Sequence, residues 1–98
     1  MKLLTKEIEE KLPALYSQES KGAEAIAQVK FFDPVGSYTW YATEFDPNEK
    51  LFFGLVDGDF QEFGYFSLEE LESYRGPLGL GIERDKYFAP QRVGNFQK

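Results

Sequence analysis

A chain of 98 residues, 42% hydrophobic and 17% aromatic, has the material for one domain over residues 1–98 built around one modest core. It contains neither cysteine nor histidine, which excludes disulfides, thiolate catalysis and cysteine-ligated zinc and removes the usual neutral-pH proton shuttle and the commonest metal ligand. The net charge of −6 is concentrated between Glu44 and Glu72, where Glu44, Asp46, Glu49, Asp57, Asp59, Glu62, Glu69, Glu70 and Glu72 face a single base, Lys50.

That middle would repel a phosphate backbone and attract a basic protein. Direct nucleic-acid binding is therefore not expected. No apolar run approaches the roughly 18 residues of a membrane span, and charges interrupt "MKLLTKEIEEKL" too often for a signal-peptide core. The expectation is a cytoplasmic protein without membrane contact, with no cofactor; a homodimer is compatible with it.

In chain order, "LLTKEIEEKLPALYSQES" reads as a helix, with Thr5 as N-cap and Leu4, Ile8, Leu12 and Leu15 along one face. Pro13 predicts a break near Leu12. "SQESKGAEA" is a polar loop. Strands follow over "AIAQVKFF", "SYTWYATEF", "KLFFGLV" and "FQEFGYF", separated by Asp33-Pro34-Val35-Gly36, Asp46-Pro47-Asn48 and Asp57-Gly58. Such short turns predict an antiparallel meander, because parallel neighbours need a long crossover.

Rings fall on both parities of the second strand, Tyr38 and Trp40 on one side and Tyr41 and Phe45 on the other. Both faces of the sheet therefore need cover, one from the first helix and the other from a second layer or a partner. "FSLEELESYRGP" predicts a capped helix: Ser67 and Glu70 form a capping box, Phe66 and Leu71 a hydrophobic staple, and Gly76-Pro77 the stop. The glycines of "RGPLGLGIERD" follow a helix and lack Gly-Lys-Ser/Thr, so a phosphate loop is excluded. "IERDKYFAP" supplies a last strand or extended segment. The fold class is α+β: an antiparallel sheet of about four strands, an N-terminal helix and a capped helix after the sheet.

Three constellations compete for function. Glu44, Asp46, Asp57, Asp59 and Glu62 have no local structural explanation, and carboxylates spaced on a rigid sheet imitate backbone phosphates and fill a basic groove. The first expectation is accordingly a non-enzymatic interaction protein that binds a basic protein surface through these five acids. Arg75 and Arg84 form the alternative, an anion clamp serving a small-molecule or nucleotide module with the aromatic sheet face; the opposing reading pins Arg84 to an aspartate as a structural link. A carboxylate-dependent hydrolase using Glu44 and Asp46 ranks last, since catalysis needs a cleft that so short a chain can hardly build. "DGDFQE" lacks the spacing of a calcium loop, so no metal site is expected.

The stretches "LLTKEIEEKLPALYSQE", "VKFFDP", "TWYATEFD", "FFGLV", "GYFSLEELES" and "RGPLGLGIERDKYF" span nearly the whole chain in order. Through them the chain resembles a small bacterial family known only as a domain of unknown function. The resemblance implies carriage on plasmids, phages and integrative elements, often near antirestriction genes, and hence an anti-defence or accessory factor. It transfers no catalytic residue.

Overall fold

Local signals explain the first element. In the computed structural model, which describes residues 2–98, helix α1 (Lys6–Lys11) begins where the Thr5 hydroxyl accepts the Ile8 N–H at 3.2 Å and ends at an extended Leu12, immediately before Pro13. The chain then passes through a 3₁₀ segment, Glu19–Glu24, into β1 (Ile26–Ala27), β2 (Val29–Phe32), β3 (Thr39–Asp46), β4 (Leu51–Asp57) and β5 (Gln61–Ser67). Helix α2 (Leu68–Ser73), β6 (Glu83–Arg84), β7 (Gln91–Arg92) and a 3₁₀ turn over Val93–Phe96 complete it.

The meander is present and gains a strand. Five antiparallel strands lie in the order β5-β4-β3-β2-β6, with β6 added at the edge of β2 through Phe31–Arg84 and Phe32–Glu83 pairing. "AIAQVKFF" is not one strand. It breaks at Gln28, whose N–H bonds to the Ala42 carbonyl, so that β1 leaves the sheet to pair with β7 in a separate two-stranded ribbon.

A β-bulge at Thr43 decides which side chain reaches which face. Ala42 pairs with Gly54, but Glu44, not Thr43, pairs with Phe53. Phe45 is thereby turned onto the face of Trp40 and Ala42, correcting the strict alternation expected of this strand. Gly54 makes the bulge possible: a Cβ there would lie 1.9 Å from the Tyr41 carbonyl oxygen.

Each face has its own core. On the helix face, Phe52 packs against Phe31, Phe45 and Phe66 at ring separations of 5.3, 4.6 and 5.3 Å, under Leu4, Leu12, Leu68 and Leu71. Burying each such ring contributes about 2–3 kcal/mol. On the other face, the ribbon and the C-terminal turn bring Ala27, Val93, Phe88 and Phe96 over Tyr41 and Leu55. The second layer is thus supplied by the chain's own C-terminal segment. No helix among the described residues is long and apolar enough to cross a membrane.

Helix α2 starts as expected, with Ser67 Oγ accepting the Glu70 N–H at 3.0 Å and donating its own proton to Glu70 Oε1 at 3.0 Å. Its end differs. Tyr74 is already extended, and Gly76 instead opens a turn in which its N–H bonds to the Leu80 carbonyl. Six residues of helix span only about 9 Å, too little to roof the whole helix face.

Candidate functional site

The uncovered part of that face is a cavity of about 350 Å³. Phe66, Leu71 and Ile82 are the apolar part of its lining, Tyr38, Trp40 and Tyr74 its remaining rings, and Asp33 and Glu70 its carboxylates. Trp40 reaches it because the period-two pleat places it on the helix face one register step beyond Ala42. Tyr38 leans against Trp40, with ring centroids 5.7 Å apart at 38°. Its ring also rests on the backbone of Gly58, where a Cβ would lie 2.3 Å from it. The β4–β5 hairpin, carrying Asp57 and Asp59, is thereby tied to the cavity.

Asp33 opens the β2–β3 connection, and its carboxylate accepts the Val35 N–H at 3.0 Å. That bond, together with the Gly36 N–H and the Tyr74 hydroxyl and against a smaller opposing effect of burial, holds the Asp33 pKa below its ordinary value. The same contact raises the Tyr74 pKa, because the phenol donates to Asp33 and would lose that bond on ionising beside a negative charge. Asp33 therefore stays anionic and fixed in place. Glu70 is fixed by its bond to Ser67.

The five acids expected to form one surface are distributed. Glu44 is 2% exposed, and its two oxygens accept the Tyr16 N–H at 2.7 Å and the Gln18 N–H at 2.9 Å. It anchors the loop after α1 and is not available to a partner. Asp46 lies at the far end of the sheet, accepting the Asn48 N–H at 2.9 Å. Asp57 stands on the ribbon face beside Lys98 Nζ at 3.7 Å. Glu62, opposite Val56 and through it in line with Trp40, is exposed on the helix face, and Asp59 is exposed in the hairpin, next in sequence to the Gly58 that meets the Tyr38 ring.

The alternative constellations are also taken apart. Arg75 donates to the Glu72 and Tyr74 carbonyls at 2.8 and 2.6 Å, at the end of α2. Arg84 donates to the carbonyls of Lys2 and Leu3, the latter at 3.0 Å, pinning the N-terminal segment. The two guanidiniums line different cavities. A space of about 170 Å³ lies beside Glu44, but Asp46 does not line it. Among the described residues no three metal-ligating side chains gather.

Reading the sequence missed Asp33, Tyr74 and Glu70 as site residues because each already had a local role, as turn, helix face and cap. The signal available was the shared parity of Tyr38 and Trp40, two large rings at the end of a strand where a core tapers.

No curated protein and no solved structure matches the chain. A family defined by sequence does, over residues 3–95, and its description is protein of unknown function, with no catalytic activity named. The chain belongs to that family, DUF2958.

Proposed function

We propose that the protein is a small non-enzymatic interaction module that binds a basic protein surface through the helix face, as an anti-defence or accessory factor of a mobile element acting in the cytoplasm. One observation carries this reading. Asp33 and Glu70 line the aromatic cavity, Glu62 is exposed on the same sheet face in line with Trp40, Asp59 is exposed in the hairpin whose Gly58 meets the Tyr38 ring, and none of the four belongs to any of the three ion pairs among the described residues, Lys30–Asp85, Arg92–Glu24 and Lys98–Asp57. Uncompensated carboxylates around apolar surface form a field that draws in a cationic partner and an area that holds it. The resemblance to a family carried on plasmids, phages and integrative elements supports the biological setting.

The test is charge reversal. Asp59→Lys and Glu62→Lys together change two exposed residues and should leave the melting temperature unaltered. Affinity capture from a bacterial host lysate, followed by titration of the purified partner, should show a basic protein bound by the wild type, released by moderate salt and held about tenfold more weakly by the double variant. A partner indifferent to both salt and charge reversal, or no basic partner at all, contradicts the reading.

A further inference from the structure

We propose that the cavity between α2 and the Tyr38–Trp40 end of the sheet is a receptor for an arginine guanidinium presented by the basic partner, an assignment that rests on the interaction reading above. Four observations converge on that chemistry. Tyr38, Trp40 and Tyr74 turn ring surface into one space, and a ring face attracts a cation through its quadrupole. Asp33 and Glu70 stand in the same lining, each oriented by bonds to its own neighbourhood, Asp33 by the Val35 and Gly36 N–H groups and the Tyr74 hydroxyl, and Glu70 by Ser67. A carboxylate held this way retains lone pairs for an incoming donor.

Size narrows the ligand. About 350 Å³ lies near the lower limit of small-molecule sites, adequate for one long side chain and small for a nucleotide, whose phosphates the two carboxylates would also repel. Geometry selects arginine over lysine. A planar guanidinium stacks on the tilted Tyr38–Trp40 pair while its five N–H groups reach carboxylates in the plane, whereas an ammonium is a strongly hydrated point charge. The chain's own nearby cation is directed elsewhere, since Arg75 donates to the Glu72 and Tyr74 carbonyls.

Trp40 is the only tryptophan in the chain and lines the cavity, so its fluorescence reports occupancy directly. The probes are methylguanidinium chloride and blocked tetra-arginine and tetra-lysine peptides, titrated into the wild type and into Tyr38→Ala, Asp33→Asn, Glu70→Gln and the remote control Asp46→Asn. Tyr38 is 38% exposed, and Glu70→Gln keeps the cap, so at least one cavity variant retains the fold by circular dichroism.

Tetra-arginine should change Trp40 emission saturably and bind more tightly than tetra-lysine. Tyr38→Ala and Asp33→Asn should each weaken it about tenfold, Glu70→Gln severalfold and Asp46→Asn less than twofold. Equal binding by wild type and cavity variants with Trp40 emission unmoved overturns the cavity and leaves the broader interaction reading standing. Equal affinity for tetra-lysine overturns the arginine assignment. Failure of every cationic peptide with the wild type removes the interaction reading itself, whereas saturation by methylguanidinium alone supports the cavity and removes the protein partner.

Discussion

Tyr41 and Trp40 are consecutive residues of one strand and meet opposite fates. Tyr41, on the ribbon face, is 7% exposed, stacked on Phe96 at 4.2 Å and flanked by Phe88 and the Lys30 ammonium. Trp40, on the helix face, opens into a cavity because α2 ends at Ser73. Charge divides in the same way. Asp57 on the ribbon face has Lys98, and Glu24 has Arg92 of β7, while the carboxylates beside Trp40 have no cation in an ion pair among the described residues. Around Tyr41 the chain itself covers the ribbon face and pairs nearby charges, while Phe63 and Tyr65 farther along that face stay 39% and 51% exposed. The helix face keeps ring surface and negative charge together, the combination a cationic partner needs.

The most disruptive way to break this contrast is to remove the bulge that sorts the side chains. Gly54→Ala places a methyl on the Tyr41 carbonyl, which is backbone and cannot swing aside, so urea denaturation should show a loss of about 3 kcal/mol. Unfolding with wild-type stability would mean that β3 and β4 pair differently from the register described.

A matched pair of ring deletions sharpens the comparison. Phe96→Ala uncovers Tyr41 and should cost about 2 kcal/mol, while Tyr38→Ala on the open face should cost about 0.5 kcal/mol. Equal losses in denaturant titrations would show that the two faces are equally closed. Glu44→Gln falls between those two losses, at about 1 kcal/mol, because its amide nitrogen must confront either the Tyr16 or the Gln18 N–H. Hydrogen exchange at those two amides should accelerate even where global stability barely moves.

The smallest effects are in titration. The Tyr41 phenol is raised above its usual 10.0 chiefly by burial, with Asp57 and Asp85 adding negative charge, whereas Tyr74 is raised by its bond to Asp33. A raised phenol contributes stability that is complete below the ordinary value and is lost as pH rises through the folded value. Asp33→Asn should therefore return Tyr74 towards 10 in an ultraviolet titration and leave Tyr41 unchanged. At the acid end the sign is reversed. The lowered Asp33 carboxylate contributes stability above its ordinary 3.8 that is lost as pH falls through the folded value, so the same variant flattens the acid limb of the stability curve.

Elements bounded by local chemistry were legible in the sequence. Thr5 and Pro13 delimit α1, Ser67 and Glu70 begin α2, and Asp57-Gly58 turns β4 into β5, since each signal acts within a few residues of itself. What was not legible depends on contacts remote in the chain. The bulge at Thr43 needs Gly54 across the ladder. The burial of Glu44 needs backbone amides 28 and 26 residues away. A two-residue strand such as β7 exists only because β1 has left the sheet to meet it. The end of α2 differs by one residue: with Gly76 as the residue just past the cap the helix would run to Tyr74, but it ends at Ser73 with Tyr74 as an extended C-cap, and Tyr74 lines the cavity.

Chemical-shift mapping of the ¹⁵N-labelled chain with the tetra-arginine peptide tests the central claim most directly. The account predicts saturable shifts concentrated at Asp33, Tyr38, the Trp40 indole, Glu70 and Tyr74, with Gln91–Phe96 on the ribbon face unmoved. Shifts spread evenly over both faces, as a net charge of −6 alone would produce, or centred on the ribbon, would contradict it.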